Sequence, residues 1–205
     1  WSSDVCSSDL LCSFALTVLQ GTMHGLQESM IKRYESVEGN YAILTNTNSE
    51  EATHALYKVH QSLKLQKISH YPALVLEVLL KQNEYIAPAL LTSFDNKMPW
   101  PQFLVDQDPT GIILGADLGA KLKAGPLNTI KIYSPSHTIA MLGDVPQFVS
   151  EETSGFMLSG FEDLDVVRAW SRLSLAQNLV RSEKINQILF YDQSNYSQVL
   201  NTIAP

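Results

Sequence analysis

Gly111, Gly115 and Gly119 stand four apart, with Gly125 beyond them, and they are the first residues to test for chemistry. Glycine turns cradle phosphates because backbone N–H groups can approach an anion closely where no Cβ intervenes. The spacing matches neither the dinucleotide pattern G-x-G-x-x-G nor the P-loop G-x-x-x-x-G-K-[ST], and no basic residue stands where a phosphate needs one. These residues read instead as structural glycines at strand ends and at a helix cap. The five histidines, His24, His54, His60, His70 and His137, lack metal-ligand spacing. His54 and His60 are six apart and so fall on different sides of a helix. H-E-x-x-H and a paired cysteine motif are both missing, which leaves a zinc site without support. G-x-S-x-G is absent, and Ser154-Gly155 and Ser159-Gly160 do not make a nucleophile elbow. Glu162, Asp163 and Asp165 lack the spacing of a calcium loop and read as a solvated acidic turn. No catalytic, metal-ligating or cofactor-binding residue is assigned.

The glycines punctuate a compact unit, Gly111–Tyr133. Ile112, Ile113 and Leu114 form a short apolar run that Gly115 stops. Ala116–Lys123 places Leu118 and Leu122 four apart on one helical face. Gly125 is expected to take the left-handed cap, and Pro126 cannot continue the helix. Thr129–Tyr133 then alternates, with Ile130 and Ile132 on one face and Lys131 on the other, as a strand does.

Around this unit the same signals recur. Tyr41–Thr45 reads as a strand. Asn48 and Glu51 make a capping-box pair before a helix that puts Ala52, Ala55, Leu56, Val59 and Leu63 on one face. His54 and His60 lie off that stripe, in solvent. Leu74–Leu80 and Tyr85–Phe94 are apolar runs separated by the turn-like Lys81–Glu84. Asp95–Pro109 reads as a connection, with Trp100 and Phe103 tucked against a core, and is the best internal boundary. Ser134–Gln147 holds Ile139, Ala140, Met141 and Leu142 among Pro135, Gly143 and Pro146, and is neither a clear strand nor a polar loop. Phe148–Phe161 is strand-like at both ends, and Val166–Trp170 is a strand. Ser171 caps a helix, Arg172–Val180, with Leu173, Ala176, Leu179 and Val180 inward. Lys184–Tyr191 is a strand, and Tyr196–Ile203 begins a helix.

A chain of 205 residues holds one large domain or two small ones. Its net charge of −7 argues against a nucleic-acid surface, and no Lys/Arg cluster reads as a polybasic membrane patch. Trp1–Leu10 shows no helical or strand period and reads as translated sequencing adapter. It is set apart from the fold, and on that reading the natural N-terminus is missing. Removing Asp4 and Asp9 leaves 19 acidic residues against 14 basic, and only Cys12 remains of two cysteines, so no disulfide framework exists. Leu10–Leu19 is apolar and uncharged but about half the length of a membrane span. It runs into Gln20–Tyr34, where Met23, Leu26, Met30 and Tyr34 recur at helical spacing. Two readings stay open. One is a buried core helix of a soluble α/β enzyme or binding protein. The other is the last half of a transmembrane helix continuing into a stalk.

With the elements in order, nearly everything after residue 10 resembles the N-terminal part of a bacterial ABC-transporter permease of the lipoprotein-releasing type (LolC/LolE), in the wider MacB/FtsX group. QGTMHGLQESMIKRYESVEGNYAIL resembles that family's exit from its first membrane helix. GIILGADLGAKLKAGPLNTIKIY resembles its G-[IV]-[IV]-[IL]-G-x-x-L-A-x-x-L segment, although Gly125-Pro126-Leu127-Asn128 stands where the family's turn carries Gly-Asp. Phe148–Asp165 resembles a V-x-G-[IV]-F strand with its acidic turn, and SRLSLAQNLV a helix written S-L-x-x-A-Q-x-L.

The resemblance implies an α+β, two-lobed MacB-like periplasmic domain: residues 11–38 the end of a membrane helix and stalk, 39–108 the first part of a mixed α/β lobe, 109–182 an inserted β-rich lobe, and 183–205 a return to the first lobe. It implies a non-catalytic inner-membrane subunit, mostly periplasmic. ATP hydrolysis would fall to a separate ATPase subunit, beside a second permease subunit, with lipoprotein cargo passed to a periplasmic lipoprotein carrier. By position, His137, Thr138, Ile139, Ala140, Met141, Leu142, Gly143, Asp144, Val145, Pro146 and Gln147 correspond to the family's carrier-holding hairpin. The alternatives within the family are MacB-like efflux and FtsX-like activation of a cell-wall hydrolase.

Overall fold

The computed structural model describes residues 2–45, 50–95, 100–104, 110–139, 145–192 and 196–203. Its elements are α1 (Ser2–Glu38), β1 (Tyr41–Leu44), α2 (Glu50–Leu65), β2 (Tyr71–Gln82), β3 (Tyr85–Phe94), a 3-10 turn (Gln102–Leu104), β4 (Ile112–Gly115), α3 (Ala116–Leu122), β5 (Thr129–Ile139), β6 (Val145–Met157), α4 (Glu162–Asp165), β7 (Arg168–Arg172), α5 (Leu173–Val180), β8 (Gln187–Phe190) and α6 (Tyr196–Ile203). The fold is mixed α/β, built on one eight-stranded sheet in the order β1-β8-β2-β3-β7-β4-β6-β5, and β5 also pairs with β2. Six strands, β2 to β7, therefore close into a ring, and β8 and β1 continue from it as a flank.

The ring closes because β2 is long enough to serve two neighbours along the same edge. Its first residues, Tyr71–Ala73, pair with β8, and Leu79–Lys81 pair with β5. Inward alternation supplies the core. Val78 and Leu80 of β2, Ala87, Ala89 and Leu91 of β3, and Ile130 and Ile132 of β5 meet Ile112 and Leu114 of β4. Leu118 and Leu122 of α3 and Leu175 and Leu179 of α5 join the same cluster. A second cluster joins Val37 of α1 to Phe94, Leu104, Ile113 and Trp170. A third holds α2 and α6 on the flank through Leu56, Leu63, Ile188, Phe190 and Val199.

Strands from both sides of residue 109 share the ring. Leu90–Phe94 pair in parallel with Arg168–Arg172, so hydrogen bonding runs straight across the expected boundary. β1 and β8 of the flank pair with each other, and β8 joins the ring through Tyr71–Ala73 of β2.

Several local expectations change. Helix α1 starts at Ser2, so residues set apart as adapter continue the helical ladder. From residue 9 to residue 34 it is exposed throughout: Leu10, Phe14, Leu19, Met23 and Leu26 are each more than half exposed. It is not a buried core helix. Among the described residues no helix is long and apolar enough to cross a membrane. The left-handed cap of α3 falls on Lys123 (φ 51°), whose N–H donates to the Ala120 carbonyl while the Ala124 N–H donates to that of Gly119. Gly125 instead donates its N–H to Asn128 Oδ1 at 2.8 Å. The helix stops one turn after Leu118 because Leu122 is the last side chain the ring can bury. On α2, Leu56 and Leu63 are buried but Ala55 is exposed, since the stripe faces β8 along a narrower arc. The Asn48 cap lies outside the described residues.

Strand β7 runs two residues further than the sequence pattern indicates. This places Ser171 in the sheet, with its hydroxyl 2.8 Å from that of Ser93. Arg172 takes the cap position of α5 without a side-chain capping bond, and Leu175, which the expected inward face did not include, is buried with Ala176 and Leu179. The acidic turn is a single helical turn in which Asp165 is buried, not solvated. Both its carboxylate oxygens accept the Ser159 N–H, at 2.9 and 3.1 Å, and one accepts the Gly160 N–H at 3.3 Å.

Candidate partner-binding site

The described ends of the segment His137–Gln147 lie on β5, which runs to Ile139, and on β6, which begins at Val145. β5 pairs with β2 only as far as Tyr133, and β6 pairs with β4 only from Thr153 onward. Among the described residues, the ladder of the two-stranded arm beyond the Tyr133–Phe148 pair joins β5 and β6 to each other alone, to the pairs Thr138–Pro146 and Ile139–Val145, while Pro135 shares a cleft with Leu79, Pro88 and Val167 of the ring. The ends that read as neither strand nor loop are thus strand. The reason the pattern was obscured is a large bulge. Ser134 opposes Gln147 and the next pair is Thr138–Pro146, so Pro135, Ser136 and His137 have no partners across the ladder. Pro135 and Pro146 lack the N–H a regular ladder needs. Ser134 is buried, and its hydroxyl lies 2.8 Å from His137 Nδ1, which pins the bulge. His137 and Gln147 are half-buried and Pro146 is exposed. Ala140, Met141, Leu142, Gly143 and Asp144 lie outside the described residues, as do the side chains of Thr138, Ile139 and Val145.

At the base of the arm the structure brings together residues the sequence reading did not single out. Tyr133 and Phe148 face each other across the strands with ring centroids 5.4 Å apart, and Lys131 lies 5.8 Å over the Phe148 ring. Phe148 is 54% exposed, so the arm meets the ring at an apolar step open to solvent. Its signal was the alternation itself: if Ile130 and Ile132 face inward, Lys131 and Tyr133 must face out.

The other feature near a functional surface is the root of α1. Its last turn is fixed on the sheet by Val37, which is buried, by an ion pair between Glu38 and Arg168, and by the Tyr191 hydroxyl donating to the Val37 carbonyl at 3.2 Å. Gly39 ends the helix at φ 88°, and the Asn40 N–H donates to the Phe190 carbonyl at 2.7 Å. Tyr34 meets Phe161 edge-on, centroids 6.0 Å apart. Burial pushes the Glu38 carboxyl above its ordinary pKa, and Arg168 pulls in the opposite direction. Burial, with Glu38 nearby, pushes the Tyr191 phenol far above its usual range. A carboxyl whose pKa is raised in the folded state loses stability as pH rises through that value, and Arg168 limits the loss. Arg168→Met should therefore cost about 2 kcal/mol at pH 7, as expected for breaking a half-buried pair, and distinctly less near pH 4. Urea unfolding at the two pH values checks this.

The glycines examined for phosphate binding are sites of close contact. A Cβ on Gly111 would stand 2.2 Å from the Glu152 carbonyl oxygen, and one on Gly119 would stand 2.4 Å from the Phe156 ring. Among the described residues no group of three His, Cys, Asp or Glu side chains is placed to hold a metal ion. His60 is not solvated: it is half-buried and its Nδ1 lies 2.8 Å from His70 Nε2.

No family model and no curated protein matches the chain. Among solved structures it is similar to the extracellular domain of the noncanonic ABC-type transporter YknZ from Gram-positive bacteria. That likeness has a TM-score of 0.49 at 10% identity, over 80% of this chain and 89% of that one.

Proposed function

We propose that this chain is the extracytoplasmic part of an ABC-transporter permease of the lipoprotein-releasing type. On this reading it catalyses no reaction itself. It works with a separate ATPase subunit and a second permease subunit at the inner membrane, and passes lipoproteins to a periplasmic carrier. The observation that supports the reading best is the arm. The sequence resemblance assigns carrier holding to His137–Gln147, and the described ends of that segment, up to Ile139 and from Val145, lie on two strands that are each other's ladder partners there. Strand edges without a further ladder partner can add to a partner's sheet, and Ile139, Met141 and Leu142 in the segment's sequence would supply apolar contact. A second support is α1, whose apolar side chains stay exposed over most of its length while its root is locked to the sheet. That arrangement suits a helix emerging from a membrane and moving the sheet with it.

The test is capture of a purified periplasmic lipoprotein carrier by the immobilised chain, wild type against Met141→Asp. The reading expects the substitution to abolish most of the capture.

A further inference from the structure

His70 lies at the start of β2 and is 1% exposed. Its Nδ1 stands 2.7 Å from the Ile68 carbonyl oxygen. A carbonyl only accepts, so in the neutral ring the hydrogen is on Nδ1 and Nε2 carries the lone pair. That lone pair faces His60 Nδ1 on α2 at 2.8 Å, and His60 must be the donor. The His60 Nε2 is the ring nitrogen not used in that bond, and His60 lines an open cleft of about 410 Å³ together with Tyr57, Asp95 and Glu183. The chain of bonds runs from the Ile68 carbonyl through both rings and ties α2 to the sheet. His70 also packs near Phe190 of β8, with centroids 6.4 Å apart.

The proton inventory of this arrangement is asymmetric. A first added proton can sit on His60 Nε2 without disturbing any bond. A second must go to His70 Nε2, where it would meet the His60 Nδ1–H donor to donor inside a dry contact. We propose that the His60–His70 pair is a proton-operated latch, which holds α2 on the sheet with at most one added proton and loosens it when the second binds. The groups that face the pair agree with this. Lys64 of α2 opposes both protonations, Asp95 after β3 favours the first, and the Ile68 carbonyl favours protonation of His70 but does not outweigh its burial. The Tyr57 hydroxyl donates to the Glu183 main-chain carbonyl, and Glu183 lines the same cleft as His60. Burial, more than any neighbour, lowers the proton affinity of both rings.

Both rings therefore bind protons less readily in the closed state than when α2 is open. The latch is fully stable above about pH 6.5, the ordinary histidine value, and weakens as pH falls below it. Each differential proton is worth up to tenfold per pH unit. Hydrogen exchange on the whole chain, corrected for intrinsic rates, should show the opening of α2 amides from Leu56 to Leu63 rising at least tenfold between pH 7.5 and pH 5.0. The α5 amides from Leu175 to Leu179 should not change. In His60→Gln the side-chain amide can turn its carbonyl toward a protonated His70, so the rise should fall below twofold. Independently of that variant, the two imidazoles of the wild type should titrate in two steps, both below the free-histidine value. An α2 whose protection ignores pH, a His60→Gln chain that opens as much as the wild type, or two unperturbed imidazole titrations would each overturn the proposal.

Discussion

Gly115→Ala should lower stability by about 3 kcal/mol, at the upper end of what overpacking costs, and drop the melting temperature by on the order of 10 °C. Gly115 ends β4, and a Cβ there would stand 2.3 Å from the Asp165 carbonyl oxygen and 2.8 Å from its carbon. Those are backbone atoms, and they cannot step aside like the end of a flexible side chain. Asp165 is itself held by the N–H groups of Ser159 and Gly160, so moving it disturbs a buried charged contact as well. Gly25 provides the contrast. It lies in the exposed part of α1 with nothing within 4 Å of a built Cβ. Gly25→Ala should raise helicity, by about 1 kcal/mol of local preference, and leave the melting temperature of the sheet unchanged. Circular dichroism during thermal unfolding of both variants checks the pair. Equal melting temperatures for Gly115→Ala and wild type would mean that β4 and α4 are not in this contact.

Trp170→Ala should cost about 4 kcal/mol, within the range for truncating a buried tryptophan. Trp170 is 2% exposed, stands opposite Ile113 of β4 and Thr92 of β3, and meets Phe103 with ring centroids 5.7 Å apart. Its cluster includes Val37 of α1 and Leu104. The loss should therefore be read in two places. Urea unfolding should give the global change, and hydrogen exchange should show loss of protection at Val37 and Gly39 before the ring core at Ile130 and Ile132. If the α1 root kept its protection while the ring weakened, Trp170 would not be what couples them.

The parts of the fold legible in the sequence were those with strong local period. Gly111–Tyr133 gave its strand, helix and strand because Ile112–Leu114, the Leu118–Leu122 pair and the Ile130–Ile132 alternation each fit one periodicity. The β2–β3 hairpin was legible for the same reason. What local pattern cannot carry is pairing between distant strands. Nothing in Leu90–Phe94 announces Arg168–Arg172 as a parallel neighbour across the boundary placed at residue 109. Polar residues failed in the same way. His60 and Asp165 read as solvent-facing by type and Ser171 as a helix cap, yet His60 meets His70, Asp165 accepts from the Ser159 N–H, and Ser171 meets Ser93 of a distant strand. In the candidate site, the arm strands were hidden by Pro135, Pro146 and the three-residue bulge, which break alternation without breaking the hairpin. The resemblance located the segment; the residues themselves did not.

The account stands most directly on carrier capture by the arm. A side chain buried at the centre of a docking contact is worth at least 2 kcal/mol, about thirtyfold in Kd. With a purified periplasmic lipoprotein carrier titrated onto the immobilised chain, wild type should bind saturably and Met141→Asp should bind at least about thirtyfold more weakly. Ser174→Asp, on α5 in the exposed part of the flank, should bind like wild type. Saturable binding that Met141→Asp leaves unchanged, or no binding by the wild type, would contradict the assignment of this arm to a lipoprotein carrier.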